Sequence, residues 1–66
     1  MNVILYSTHC PKCNVLSKKL NEMNITYTEV DDADIMIAKG FTQAPMLEVN
    51  GTIMNFSQAI EWVNEQ

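Results

Sequence analysis

Hydrophobic residues in the first half of the chain fall into three runs, and each run predicts an element. The run Val3–Tyr6 is β-branched and aromatic, which predicts a short buried strand. The next apolar residues recur every three or four positions and predict a helix over residues 11–23. The buried face of that helix is expected to consist of Cys13, Leu16, Leu20 and Met23. Residues 25–30 are rich in β-branched and aromatic side chains and predict the second strand.

The middle of the chain predicts a short helix whose flanking charges complement its dipole. Aspartates come first and the apolar residues 35–38 follow, with Lys39 expected in the last turn and Gly40 just after the end. We expect the aspartates to cap this helix rather than to bind a cation. They are Asp31, Asp32 and Asp34.

Two strands and a helix are predicted for the remainder. Asn50-Gly51 separates residues 45–49 from residues 52–54, which predicts a two-residue turn between antiparallel strands. A last helix is expected to begin within residues 55–57. Its predicted buried stripe is Phe56, Ala59, Ile60 and Val63.

The predicted order is strand, helix, strand, helix, strand, strand, helix. The first strand–helix–strand unit is long enough for a right-handed parallel crossover, whereas the last two strands must be antiparallel. We therefore expect one α/β domain over residues 1–66, with a four-stranded mixed sheet flanked by three helices.

Composition and charge narrow the classes of function. Hydrophobic residues make up 47% of the 66 residues, which is enough for an apolar core. Four lysines, no arginine and eight acidic residues give a formal charge of −4, which argues against nucleic acid or an anionic membrane surface as a partner. The sequence shows neither a membrane-spanning apolar stretch nor a signal-peptide pattern. A cytoplasmic, monomeric protein with reduced thiols is therefore expected.

The motif Cys10-Pro11-Lys12-Cys13 lies where the first predicted strand ends and a helix begins. Unpaired backbone N–H groups and the positive end of the helix dipole meet there, and both stabilise a thiolate. Such surroundings lower the pKa of a cysteine from about 8.5 to roughly 3.5–7.5. Lys12 adds a nearby cation. Pro11 fits the first turn because its missing N–H would have no helical partner.

The two sulfurs are expected to behave differently. Cys10 precedes the first turn and faces outward, whereas Cys13 is expected to be buried and to keep its proton longer. We therefore expect Cys10 to attack a substrate disulfide and Cys13 to resolve the mixed disulfide. Two other interpretations are a pair of inert core thiols and a zinc site. For zinc, His9 is the only histidine available and a second chain would be needed.

Pro45 and two neighbours of the cysteine motif each allow a structural and a functional interpretation. Proline can simply open the third strand, since no ladder hydrogen bond is lost when its nitrogen faces outward. Alternatively, the Ala44-Pro45 bond is cis and exposes the Ala44 backbone to an extended thiol substrate. His9 could accept a proton beside Cys10, but a solvated loop histidine is expected. Tyr6 is expected to pack at the strand end.

These features resemble the glutaredoxin branch of the thioredoxin-like superfamily. The segments that carry the resemblance are Tyr6-Ser7, Cys10-Pro11-Lys12-Cys13, Ala44-Pro45-Met46 and Asn50-Gly51. The resemblance implies a thioredoxin-like (glutaredoxin) fold and a thiol–disulfide oxidoreductase that reduces protein or glutathione mixed disulfides. It also implies that Cys10 is the nucleophile, Cys13 the resolving residue and Pro45 a cis-proline.

The resemblance further implies partners and a binding surface. The family commonly takes electrons from glutathione, and no tightly bound cofactor or metal is expected. Residues 39–45 are also similar to small relatives that draw electrons from thioredoxin reductase and supply ribonucleotide reductase. Contacts to substrate or glutathione are expected from Lys12, Ala44, Asn55, Phe56 and Ser57, the last three at the start of the closing helix.

Two alternative functions use the same cysteines. Small copper metallochaperones also place a Cys-x-x-Cys pair between a first strand and a first helix, where two thiolates bind Cu(I). The proline after Cys10, the threonine at Thr8 where those proteins have methionine, and the short helix before residue 45 argue against that function. Some glutaredoxins instead carry an iron–sulfur cluster between two protomers.

Overall fold

Every element predicted from the sequence is present in the computed structural model, which describes residues 2–66. In chain order the elements are β1 (Val3–Tyr6), α1 (Pro11–Glu22), β2 (Thr28–Val30), α2 (Ala33–Ala38), β3 (Met46–Val49), β4 (Thr52–Met54) and α3 (Phe56–Asn64). The predicted order is therefore confirmed. Across these 65 residues, none of the helices is both long and apolar enough to span a bilayer.

The four strands form one mixed sheet in the order β2-β1-β3-β4. β1 is parallel to β2 and antiparallel to β3, and β3 is antiparallel to β4. Asn50 and Gly51 have φ values of 50° and 88°, as both central residues of the predicted hairpin turn require. The parallel crossover and the antiparallel hairpin are both confirmed.

One face of the sheet carries the hydrophobic core beneath α1 and α3. Successive strand residues point to opposite faces, so Val3 and Leu5 share this face with their β3 partners, Val49 and Leu47. The buried residues of the core are Val3, Leu5, Leu16, Leu20, Leu47, Val49, Ala59 and Val63. Removal of this apolar surface from water is the main stabilising contribution to the fold.

The opposite face of the sheet is covered less completely. Tyr6 lies on it and is only 2% exposed, and Met36 is the buried residue that α2 contributes. Ile53 of β4 shares this face with its β3 partner, Glu48, and remains 40% exposed. α2 is therefore anchored by much less buried apolar surface than α1 or α3.

Three predicted positions are corrected by the structure. β2 begins at Thr28 rather than at residue 25, because the backbone N–H of Ile25 donates to the Leu20 carbonyl at 2.9 Å and closes the end of α1. Met23 was predicted on the buried face of α1, but it is the C-cap of that helix and is 41% exposed. Lys39 is the C-cap of α2 instead of lying in its last turn.

Of the three aspartates predicted to cap α2, Asp32 is its N-cap, whereas Asp31 lies against His9. The Asp32 side chain accepts a hydrogen bond from the backbone N–H of Asp34 at 2.9 Å. Asp34 itself lies in the first turn, where its negative charge complements the helix dipole. α2 therefore begins where its charge pattern indicates.

Candidate active site

Cys10 is the N-cap residue of α1, directly after the loop that leaves β1. Two features fix this loop. His9 adopts a φ of 60° and donates its backbone N–H to the Ser7 hydroxyl at 3.0 Å. Pro11 then occupies the first helical position, where no N–H is required. The chain therefore turns sharply and presents Cys10 at the positive end of the helix.

The two sulfurs lie in different environments. Cys10 is half-buried, whereas Cys13 is only 1% exposed. The Cys10 Sγ accepts a hydrogen bond from the Cys13 backbone N–H at 3.2 Å, which is the N-cap interaction of α1. Both cysteines are free thiols in the structure. An incoming disulfide can reach Cys10, while Cys13 is shielded behind it.

The acidity of Cys13 differs from the sequence-based expectation. Burial favours the neutral thiol and raises the pKa of Cys13, but hydrogen bonds from Cys10, Thr8 and Ser7 outweigh it and lower the pKa to about 7 from its ordinary value of 9.0. The predicted burial of Cys13 is confirmed, but burial alone does not set the pKa of this thiol. The Cys10 side chain is the first of these hydrogen-bond partners, so the two cysteines are linked directly.

The segment before β3 lies against Cys10. Tyr6 at the end of β1 pairs with Met46 at the start of β3, so the residues before Met46 approach the loop that follows β1. The Ala44-Pro45 peptide bond is cis, as the resemblance implies. The Cys10 thiol makes a long hydrogen bond of 3.9 Å to the Ala44 carbonyl oxygen. The structure therefore brings Cys10, Ala44 and Pro45 together.

A groove of about 310 Å³ opens beside Cys10. One side is the cis-proline segment with Ala44, and the opposite side is α2 with Met36 and Ile37. Phe41, in the loop between them, also lines it. A larger open depression of about 530 Å³ near Asn24 contains neither cysteine, so the smaller groove is the one relevant to thiol chemistry.

The groove residues of α2 and its following loop were missed by the sequence reasoning. Ile37 is 71% exposed, which is unusual for an isoleucine side chain. A signal was available, because Ile35, Met36 and Ile37 are consecutive apolar residues and a helix can bury only one side of such a run. No sequence pattern indicated Phe41 as a site residue, because only the fold places it in the groove beside Cys10.

Comparison with solved structures supports this architecture. The crystal structure of a mutant of the thioredoxin-like protein BC3987 superposes with a TM-score of 0.77, and the match covers 97% of this chain and 91% of that one at 22% sequence identity. The chain has a thioredoxin-like fold. The predicted fold class is thereby confirmed. Comparisons of the sequence with known protein families and with curated proteins give no match.

Within the thioredoxin-like fold, Lys12 and the start of α3 form a second group of predicted site residues. The Lys12 ammonium lies 5.5 Å from the centroid of the Phe56 ring, which is a cation–π contact. Asn55 caps α3 in a reciprocal capping box with Gln58. The first-turn N–H groups of Phe56 and Ser57 have no partner within the helix. None of Lys12, Asn55, Phe56 and Ser57 lines the Cys10 groove.

His9 and Tyr6 take structural positions. The His9 ring nitrogen Nε2 lies 3.2 Å from Asp31 Oδ2, and both side chains are largely exposed. The hydrogen bond to Asp31 raises the pKa of His9 above its ordinary value. Tyr6 is buried and donates its hydroxyl to Glu48. Within residues 2–66, no three His, Cys, Asp or Glu side chains are grouped closely enough to hold a metal ion.

Proposed function

We propose that this chain is a thiol–disulfide oxidoreductase that works by dithiol exchange. The observation that carries the proposal is the accessible Cys10 thiol at the N-terminus of α1, one turn before the buried Cys13 thiol. Helix N-termini stabilise thiolates, and a thiolate is the form that attacks a disulfide. The pKa of Cys13, lowered to about 7, keeps a substantial share of Cys13 ionised at neutral pH, which is the form that resolves a mixed disulfide.

The reaction requires two exchanges. The Cys10 thiolate attacks one sulfur of the substrate disulfide, so that a Cys10–substrate disulfide forms and the other substrate sulfur leaves as a thiolate. The Cys13 thiolate then attacks the Cys10 Sγ, which forms the Cys10–Cys13 disulfide and releases the second substrate sulfur. The substrate gains two electrons and the dithiol loses two. An external donor of two electrons must restore the dithiol.

The Ala44 segment is suited to hold the substrate in this reaction. Ala44 lines the groove beside Cys10, and its carbonyl lies 3.9 Å from the Cys10 Sγ. An extended peptide lying in the groove can therefore pair its backbone with Ala44 while its disulfide faces Cys10. Pro45, the next residue, is fully buried.

Glutathione or a thioredoxin reductase is proposed as the electron donor. The cation–π contact holds the Lys12 ammonium near the first-turn amides of α3, which are carried by Phe56 and Ser57. A cation together with unpaired N–H groups is a suitable site for a carboxylate such as those of glutathione. Asn55 contributes by capping the helix that carries these amides.

The remaining parts of the proposal follow the resemblance. The similarity of residues 39–45 to small relatives favours a protein substrate such as ribonucleotide reductase, with electrons taken from thioredoxin reductase. A reducing compartment such as the cytoplasm would keep both cysteines in the dithiol form that the structure contains. The proposed reaction needs one chain only, because both cysteines belong to the same helix start.

Turnover with the two donors tests this function. Reduction of insulin is followed with glutathione and glutathione reductase in one series, and with thioredoxin reductase in the other. The Cys10→Ser variant is expected to be inactive in both. The Cys13→Ser variant is expected to retain activity only on mixed disulfides with glutathione, since one thiol suffices for that exchange.

Lys12→Met separates the two donors. If glutathione binds beside Lys12, its KM rises by about threefold, as expected for loss of an exposed ion pair. The matched variant Lys18→Met, on the same helix, leaves that KM unchanged. A chain that shows no turnover with either donor but binds one Cu(I) tightly through both cysteines would be a copper carrier instead.

A further inference from the structure

α2 forms one wall of the Cys10 groove, but few of its own side chains are buried against the rest of the protein. Within Ala33–Ala38, only Met36 is buried, while Ile35 is 43% and Ile37 71% exposed. A six-residue helix is far too short to be stable without tertiary contacts. The position of this wall must therefore depend on residues at the ends of α2.

A polar cluster ties the C-terminal end of α2 to the sheet. Tyr6 and Glu48 lie diagonally across β1 and β3 on the same face, and the Tyr6 hydroxyl donates to Glu48 Oε1 at 3.1 Å. Lys39, the C-cap of α2, places its ammonium 3.8 Å from the same oxygen and 5.6 Å from the centroid of the Tyr6 ring. We refer to Tyr6, Glu48 and Lys39 as the brace.

The brace reaches the groove through Phe41. The rings of Tyr6 and Phe41 pack edge to face with centroids 5.0 Å apart, and Phe41 lines the groove. The Phe41 backbone N–H also donates to the Met36 carbonyl at 3.0 Å, which joins it to α2. Movement of Tyr6 or Lys39 would therefore shift both Phe41 and the exposed apolar wall.

The protonation and burial of the brace residues favour a single arrangement of their side chains. Burial, with Glu48 as the next contributor, raises the pKa of Tyr6 above its ordinary value, so the phenol stays protonated and remains a donor. The Glu48 side chain is only 17% exposed, so a Glu48 carboxylate without its partners would be poorly solvated. None of the three brace residues lines the groove. Their effect on the groove is indirect, through Phe41 and α2.

We propose that the brace sets the preference of this site for peptide disulfides over small disulfides. A small disulfide needs access to the Cys10 sulfur alone, whereas a peptide also lies against the wall formed by Ile37 and Phe41. This proposal rests on the proposed oxidoreductase function. Tyr6, Glu48 and Lys39 are then positioning residues, because they touch neither substrate nor sulfur.

Two variants and a matched control test the brace. Glu48→Gln keeps the size of the side chain but removes the charge that holds Lys39. Tyr6→Phe removes the hydroxyl that donates a hydrogen bond to Glu48. Each is expected to lower kcat/KM for a disulfide-linked peptide by about tenfold, mainly through KM, as expected for loss of a hydrogen bond to a charged group. Turnover of hydroxyethyl disulfide is expected to stay within about twofold of the original chain. Glu61→Gln, on the exposed side of α3, is expected to leave kcat/KM unchanged for both substrates.

A second measurement does not depend on turnover. The rate of Cys10 alkylation is compared for iodoacetamide and for a peptide that carries an iodoacetyl group. In the original chain the peptide reagent is favoured relative to iodoacetamide, and Glu48→Gln or Tyr6→Phe removes that advantage. Circular dichroism establishes that each variant is folded before either measurement is made.

The outcomes separate the brace from the proposed function. If the variants lose kcat/KM equally for the peptide and the small disulfide, or lose it for neither, the brace proposal is overturned. If the original chain reduces no disulfide at all, the oxidoreductase proposal fails, and the alkylation ratio alone then decides whether the brace shapes the groove.

Discussion

The backbone N–H of Cys13 donates a hydrogen bond to the Sγ of Cys10 at 3.2 Å. This contact caps α1 and also places the accessible sulfur over the turn of helix that carries the buried one. A single local interaction therefore serves both the stability of the helix and the approach of the two sulfurs. The site and the packing that supports it lead to five predictions.

Alkylation is predicted to select Cys10. Cys10 is half-buried whereas Cys13 is 1% exposed, so iodoacetamide is expected to modify Cys10 at least about tenfold faster. Mass spectrometry of the digested protein measures both rates in one experiment. The single variants Cys10→Ser and Cys13→Ser serve as controls. Faster modification of Cys13 would reverse the assignment of nucleophile and resolving residue.

The reduced protein is predicted to become more stable as the pH rises from about 7 to about 9. The pKa of Cys13 is lowered in the folded chain to about 7 from its ordinary value of 9.0, so in this window the unfolded chain binds more protons than the folded one. The stabilisation is complete above pH 9 and is lost as the pH falls through 7. Urea unfolding at several pH values measures it, and Cys13→Ser should lack this part of the pH dependence. An identical pH dependence in both proteins would contradict the lowered pKa.

Thiolate formation should follow the same titration. For a group with a pKa of about 7, the ionised fraction rises about tenfold between pH 6 and pH 8. The ultraviolet absorbance of the thiolate measures this rise directly, with the Cys10→Ser, Cys13→Ser double variant as the blank. A rise confined to pH values above about 8.5, as for an ordinary cysteine, would be inconsistent with the site.

Asn55→Ala is predicted to lower the free energy of unfolding of the chain. Asn55 exchanges two hydrogen bonds with Gln58, of 2.9 Å and 3.0 Å, and loss of such a cap costs about 1 kcal/mol. Urea unfolding measures the loss. Asn64→Ala, at the exposed C-terminal end of the same helix, is the control and is expected to be close to neutral. Equal free energies of unfolding for the two variants would contradict the capping role of Asn55.

Leu16→Ala is predicted to cost about 2–5 kcal/mol of unfolding free energy. Leu16 is fully buried between α1 and the sheet, and a chain of 66 residues has little stability in reserve. Val15→Ala, one residue earlier on the same helix, removes a side chain that is 46% exposed and is expected to cost less than about 1 kcal/mol. Thermal unfolding followed by circular dichroism compares the two. Equal costs would mean that the core is not where the structure places it.

Local chemistry explains which parts of the fold could be predicted. The helix that begins at Pro11, the caps at Asp32 and Asn55 and the Asn50-Gly51 turn each depend on interactions between residues at most four positions apart. Those interactions are readable from the order of residue types. The boundary of β2 was misplaced because the Ile25 N–H is taken by Leu20, and the choice between a ladder and a helix end is made by packing.

Residue order alone predicts the order of elements and the position of the cysteine pair at a helix start. It also predicts most of the buried face of α1 and the buried positions Ala59 and Val63 of α3. The groove wall of Ile37 and Phe41 and the brace of Tyr6, Glu48 and Lys39 follow only from the packing of the folded chain. These contacts join residues that are far apart along the chain. Burial and hydrogen bonding between residues tens of positions apart, such as Tyr6 and Glu48, depend on which strands become neighbours, and no local pattern encodes that choice.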